Sequence, residues 1–387
     1  MMKTFHLLLP VLAVALVCAC EKDETRPAVT PDPPEPYVPV DHNPASVYKW
    51  GLRELAQANG LMIGAEFTYP EYADDSLKVV LKRDFEAVTF GNEMKHDNIV
   101  SGTGEMNFYR ADQMVRWTKD CDLKLFGHTL GWHSQQQADY LQALIDGAAD
   151  SNAAAAAVRE AHATYVDRMV EHFDVYAWDV VNEVFADDGV GSWRTSQNTQ
   201  ANYHVFLWGD YFEGGTKGFV DSAFRTAREA LERHGKTADL YINDYNLEWN
   251  PAKLEALCKY AESNPDVTGV GSQMHCNTDL SEESIKNMLN RMVKTGKKVR
   301  ISELDVPQGS IPTNTQADLI VTIFDQYLKI VPEEQRGGIT FWGVSDKNSW
   351  LGSNKQPLLY NSLYKRKDAY LKLHAYLLDR SGLDKSE

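Results

Sequence analysis

Eight short runs rich in β-branched and aromatic residues, each followed by a longer stretch of polar or helically periodic chain, limit the folds open to this protein more than any other feature. The runs lie at residues 61–67, 87–90, 123–130, 175–182, 238–244, 269–275, 298–305 and 337–344. Helical stretches stand among them at 105–121, 153–173, 217–234, 251–263, 281–295, 316–330 and 365–378. In 105–121, Met106, Tyr109, Met114, Val115 and Trp117 recur near the 3.6-residue period that gives a helix one apolar face. Strands alternating with helices predict parallel βαβ units. Eight such units between residues 47 and 387 predict a single α/β domain, a closed (β/α)8 TIM barrel with some enlarged loops. An open doubly wound sheet would carry a glycine-rich phosphate loop after its first strand, and the "GAEF" of residues 64–67 is not one.

The amino-terminal residues read as a targeting segment and not as part of the barrel. Lys3 precedes an apolar run at 7–17 that is too short to span a bilayer as a stable helix. The "VCAC" that ends at Cys20 resembles a bacterial lipobox. That resemblance implies a lipoprotein signal peptide at 1–19, cleavage before Cys20 and lipidation of Cys20; an ordinary secretory peptide cleaved nearby is the alternative. Residues 20–46 form a proline-rich linker, because 7 of the 15 prolines fall between Pro27 and Pro44 without apolar periodicity. The acidic cluster Glu21, Asp23 and Glu24 resembles the surface-export signal of Bacteroidetes-type lipoproteins. The expectation is a monomeric domain tethered to the outer membrane by a lipid anchor at Cys20 and facing the cell surface, with a periplasm-facing or secreted form as the other possibilities.

Charge narrows the partners. The net charge is −16, and removing residues 1–19 takes away one lysine and no acid, which leaves −17. Such a chain repels nucleic acid and anionic lipid headgroups and suits a neutral ligand. Beyond Cys18 and Cys20, the cysteines are Cys121, Cys258 and Cys276. They allow at most one disulfide and read as unpaired buried thiols.

The polar residues fall where strands end. Asn92 to Lys95, His128 to His133, Asn182-Glu183, Asn243-Asp244, Gln273 to His275, Glu303 to Asp305 and Phe341-Trp342 all close a candidate strand. In a barrel such clusters emerge together on the C-terminal face. Glu183 and Glu303 stand out, because a glutamate at the end of an apolar strand needs either a partner or a reaction. The plain alternative is that each is an acid satisfied by an arginine, with Arg194 and Arg300 as candidates. The chemistry that needs two facing carboxyl groups is cleavage of a glycosidic bond: one protonates the leaving oxygen, and the other attacks the anomeric carbon or activates water. The spacing of His128 and His133 lacks the one-face geometry of a helical metal pair. No catalytic metal and no cofactor is expected.

Five blocks, "NEMKHD", "GHTLGWHSQ", "WDVVNEVF", "ISELDV" and "TFWGVSDKNSWL", resemble the signature blocks of family 10 glycoside hydrolases, the retaining endo-β-1,4-xylanases. They occur in that family's order and cover nearly the whole chain from about residue 47. The resemblance implies that Glu183 is the general acid/base and Glu303 the nucleophile, that His275 hydrogen-bonds Glu303 and that Asp305 orients His275. It also implies that Asn182 reaches the sugar 2-hydroxyl. Asn92, Lys95, His128 and Gln273 would bind hydroxyls on the glycone side, and Trp132, Trp342 and Trp350 would wall the site for xylan or xylo-oligosaccharides. Asn243, Asp244 and Asn246, in "NDYN", would position the catalytic groups, while Trp117 and Trp178 read as core. One departure is that the family usually has glutamate where this chain has Gly91, which affects affinity on the glycone side. The segment 186–215, with Trp193, Tyr203, Phe206, Trp208 and Tyr211, is expected to build aglycone subsites. Two other readings stay open: the same machinery acting on other β-1,4-glycans or short xylosides, and a non-catalytic surface glycan-binding lipoprotein.

Overall fold

The computed structural model describes residues 48–199 and 205–384. The signal peptide at 1–19, the linker at 20–46 with Cys20, the boundary at 47 and Tyr203 lie outside the described residues. Eight strands succeed one another: β1 Ile63–Phe67, β2 Ala87–Phe90, β3 Lys124–His128, β4 Ala177–Asn182, β5 Asp239–Asp244, β6 Gly269–Ser272, β7 Lys298–Leu304 and β8 Arg336–Phe341. Each pairs in parallel with the next, and β1 pairs in parallel with β8, so the sheet closes as a barrel in chain order. Helices Tyr109–Asp120, Ser151–His172, Gly215–Arg233, Pro251–Ser263, Glu282–Val293, Thr313–Ile330 and Asp368–Ser381 occupy the stretches whose periodicity predicted them. Their entries are set locally: Asp150, Asn250 and Ser281 each accept a hydrogen bond from a first-turn amide, which satisfies an otherwise orphaned donor. Leu52–Ala58, Asp75–Asp84 and Ala138–Asp146 are additional helices, each of ten residues or fewer, too short to show a clear period in sequence.

The predicted runs at 123–130, 269–275, 298–305 and 337–344 overshoot their strands at the C-terminal end. There the backbone leaves the ladder to aim polar side chains into the mouth. After β6, for example, Met274 takes a left-handed φ of 55°, a conformation that ends an extended strand. Two further irregularities shape the mouth. Between β4 and β5 the register runs from Asp179↔Tyr241 to Val181↔Ile242, and between β7 and β8 from Ile301↔Ile339 to Leu304↔Phe341. Each is one extra residue on the first strand, a bulge that re-aims the side chains beyond it. These are the two strands that carry Glu183 and Glu303.

Below the mouth the barrel interior is packed. The Arg300 guanidinium lies 3.7 Å from the centre of the Phe126 ring and donates to Tyr176 Oη at 2.6 Å and Thr340 Oγ1 at 2.7 Å. It therefore plugs the barrel and does not neutralise Glu303. Trp178 is wholly buried, as its place in an apolar strand predicted, and Trp117 packs half-buried against Phe67. Cys121, Cys258 and Cys276 are buried free thiols. Among the described residues no helix is long and apolar enough to cross a membrane. Trp178→Ala removes the largest wholly buried side chain of β4 and is expected to cost about 3–5 kcal/mol of stability, read as a lower denaturant midpoint.

Candidate active site

The strand ends open on a cleft of about 630 Å³. Asn92, Lys95, His128, Trp132, Asn182, Glu183, Gln273, His275, Glu303, Trp342 and Trp350 all line it. Asp305 stands one step behind, just beyond β7, where its backbone bridges to His275. In an extended strand Asn182 and Glu183 would face opposite sides. Glu183 instead adopts a left-handed φ of 57°, which turns the chain so that both side chains reach the cleft. The turn is held in place by main-chain bonds: Glu183 N–H donates to the Asn243 carbonyl at 2.9 Å, and Arg194 Nε donates to the Glu183 carbonyl at 2.8 Å. Arg194 thus holds the backbone of Glu183, and its other bonds go to the Phe185 carbonyl and Tyr245 Oη. Neither arginine considered as a partner for the two carboxylates pairs with one.

What joins the carboxylates is a set of side-chain amides. Glu183 Oε1 accepts from Gln273 Nε2 at 3.1 Å and from Asn182 Nδ2 at 3.3 Å. Asn243 Nδ2 donates to Asn182 Oδ1 at 3.0 Å and to Glu303 Oε1 at 2.9 Å, while its own oxygen accepts from Ser302 Oγ at 2.7 Å. Asn243 and Asp244 belong to β5 itself, and Asp244 is spent on the Phe185 amide and the buried Lys253 ammonium. Asn246 lies beyond β5 with a φ of 59° and accepts from the amides of Trp249 and Asn250.

Two histidine–carboxylate pairs set the charge. His275 Nδ1 lies 2.9 Å from Asp305 Oδ2 and its Nε2 3.4 Å from Glu303 Oε2. Burial works to discharge this imidazole, but its bonds to Asp305 and Glu303 outweigh that and raise it to about 10. Burial likewise opposes ionisation of Glu303, yet the His275 bond and the charges of His128, His275 and Lys95 hold the carboxyl below its usual range. Trp350 Nε1 donates to the same Asp305 oxygen at 2.7 Å, although the residue as a whole is 61% exposed. His128 Nδ1 lies 2.8 Å from Asp179 Oδ2 behind the opposite wall. Lys95 Nζ donates to Gln135 Oε1 at 2.7 Å and lies 4.8 Å from the centre of the Trp132 ring. Trp342 stands between His128 and His275, with ring centres 5.4 and 6.4 Å away.

The cleft also contains residues that polarity at strand ends does not single out: Glu66, Thr68, Gln135, Tyr245 and Asn348. Gln135 and Tyr245 lie in the "GHTLGWHSQ" and "NDYN" blocks, but Glu66 gives no signal, since a lone acid on a strand ordinarily faces solvent. The aromatics of 186–215 go elsewhere. Trp193 stacks on Phe185 at 4.5 Å, Trp208 is buried against His162 and Phe219, and Phe206 stacks on Tyr211, so none lines the main cleft. Trp208 and Leu207 line a smaller pocket that adjoins Glu183 and Trp132, so the segment does border the acid carboxyl's side of the site. Among the described residues no cluster of His, Cys, Asp or Glu is arranged to hold a metal ion.

Two carboxyl groups facing one cleft at the C-terminal ends of barrel strands, one of them beside an imidazolium, are the arrangement that glycosidic-bond cleavage calls for. The chain belongs to glycosyl hydrolase family 10, whose model matches residues 51–376. It is 30% identical over 337 residues to the endo-β-1,4-xylanase Xyn10C of Cellvibrio japonicus, covering 78% of this chain and 52% of that protein. The chain spans about half the length of such curated relatives. The structure of xylanase 10C of C. japonicus in complex with xylopentaose superposes with a TM-score of 0.73 at 27% identity, covering 85% of this chain and 69% of that one. Native xylanase 10B of Thermotoga maritima gives 0.72 at 28% identity, covering 86% and 99%. The geometry yields a test that needs no substrate. His275→Ala removes the bond and charge that offset burial of Glu303, so its carboxyl is expected to titrate at higher pH in carbon-13 NMR. An unmoved midpoint would mean that Lys95 and His128 suffice.

Proposed function

We propose that this chain is a retaining endo-1,4-β-xylanase that hydrolyses internal β-1,4-xylosidic bonds of xylan and xylo-oligosaccharides. The observation that carries the reading is the pairing of Glu183 and Glu303 through Asn182, Asn243 and Gln273 in one open cleft, with Glu303 charged by way of His275. Glu303 attacks the anomeric carbon while Glu183 gives a proton to the departing glycosidic oxygen. Glu183 then takes a proton from water, which displaces Glu303 and restores the original anomeric configuration. Asn182, held by Asn243 and Gln273, is set to bond the 2-hydroxyl, a contact that strengthens in the transition state. His275 and Asp305 keep the nucleophile oriented. Asn92, Lys95, His128 and Gln273 meet hydroxyls on the glycone side, and Trp132, Trp342 and Trp350 offer flat apolar faces to the sugars. The relatives' names and the xylopentaose complex of xylanase 10C support xylose as the unit.

Incubated with glucuronoxylan, arabinoxylan and a β-1,4-glucan, the purified protein is expected to release short xylo-oligosaccharides from the xylans. Glu303→Ala should abolish this, and Glu183→Ala should lower the rate about 10²- to 10⁴-fold. Cleavage of the glucan alone would move the specificity, and binding without cleavage would make the chain a glycan receptor. The "VCAC" pattern and the proline-rich linker support a second proposal, that Cys20 is lipidated and tethers the barrel at the outer surface of the outer membrane. Protease added to intact cells should then remove the barrel, and Cys20→Ser should release it from the membrane fraction; protection from protease would overturn surface exposure.

A further inference from the structure

One carboxyl group in the cleft has no part in this two-step reaction. Glu66 lies on β1, where its backbone pairs with Thr89 of β2, and its side chain lines the cleft beside Asn92 and Lys95. Its acidic neighbours are fully engaged by the protein. Glu71 accepts from the Thr68 amide, Thr68 Oγ1 and Asn348 Nδ2, and Glu93 accepts from the amides of Tyr69 and Asn92. The Glu66 oxygens have no hydrogen-bond or ion-pair partner among the described residues. The carboxyl is part-buried in the wall of the open cleft and, without protein donors, keeps its bonding capacity for what enters there.

The second observation is Gly91. A Cβ built there would lie 1.9 Å from Glu66 Oε1, 2.8 Å from Glu66 Cδ and 3.0 Å from Thr68 Cγ2. Gly91 is not among the glycines of positive φ, so its backbone is one that any residue adopts. The Glu66 carboxyl occupies the room that a side chain at 91 would take, so any larger residue there would push this flexible group aside. The group reaches from β1 across to the head of β2, immediately before Asn92.

We propose that Glu66 is a substrate-binding residue on the glycone side, its carboxyl passing through the gap at Gly91 to hydrogen-bond sugar hydroxyls, so that a group expected from the head of β2 is supplied instead by β1. The proposal rests on the reading of the cleft as a xylan site. Burial, and next the charge of Glu71, hold this carboxyl well above the usual range against the pull of Lys95. A carboxyl shifted in this direction takes up a proton more readily than an ordinary one, and in that form it offers a donor as well as an acceptor to hydroxyls that do both.

The test compares Glu66→Ala, Glu66→Gln, Gly91→Glu and the double variant Glu66→Ala/Gly91→Glu in the full chain, with xylohexaose as substrate. Glu66→Ala is expected to lower kcat/KM about 10- to 100-fold and to shift the bond that is cut, while Glu66→Gln, which keeps a donor and an acceptor, retains most of the activity. Gly91→Glu alone forces two side chains into one space and should impair the enzyme. In the double variant the space is free and activity should recover above that of either single variant. A merely structural role predicts the opposite pattern: a lower unfolding midpoint in Glu66→Ala, no change in the bond cut and no recovery in the double variant. Wild-type kcat/KM and cleavage position in Glu66→Ala would overturn the proposal. If the wild type turns over no xylohexaose, the reading of the function fails separately, and calorimetric binding of xylohexaose decides on Glu66: about 10-fold weakening in Glu66→Ala upholds it, and unchanged affinity overturns it.

Discussion

The Asn243 carboxamide is the strut on which the site depends. One amide nitrogen reaches Asn182, beside the Glu183 carboxyl at the end of β4, and Glu303 on β7; its oxygen takes the Ser302 hydroxyl. β6 lies between β5 and β7, so any side chain spanning that gap needs a strand with no bulk in between. Gly271 meets the need. It pairs with Asn243 in the ladder, and a Cβ there would lie 2.4 Å from the Asn243 oxygen. Parallel closure in chain order is what puts β4, β5 and β7 within reach of one amide. Bulges on β4 and β7 then turn the glutamates into the space above it. A fixed distance between two acids thus comes from ladder register and one carboxamide, which are stiffer than any surface ion pair.

Electrostatics depend on the same packing. A buried glutamate tends to take up a proton, and the site resists this for Glu303 with an imidazolium that is itself kept charged by a second acid, Asp305. The arrangement is a line of alternating charge running from the buried Asp305 through His275 to Glu303 in the cleft. It contrasts with Arg300, a buried cation that meets hydroxyls and an aromatic face and so stays out of the catalytic charge balance.

Much of this can be read from the residues alone, for identifiable reasons. Strand count and order are visible because parallel barrel strands are buried on both faces and read as continuous apolar runs. The carboxylates are visible because polarity at the end of such a run is conspicuous. Strand ends are overestimated where the chain turns left-handed, at Met274 for instance, since no residue type there announces it. For the aromatics of 186–215 composition does not say which way a ring faces: Trp208 packs against the core, and Trp193 stacks part-buried on Phe185. Glu66 is invisible for the converse reason. Its meaning depends on a neighbour in space, Gly91, which lies 25 positions away in the sequence.

Trp350 is mostly exposed at the rim, yet its indole N–H ends on Asp305, two groups removed from Glu303. The rim is therefore linked to Glu303 by two hydrogen bonds through Asp305 and a 3.4 Å His275–Glu303 ion pair. An indole so placed is a natural fluorophore whose emission depends on the charge its N–H meets. The chain has nine tryptophans, so the contribution of this one is isolated as the difference between the wild type and Trp350→Phe.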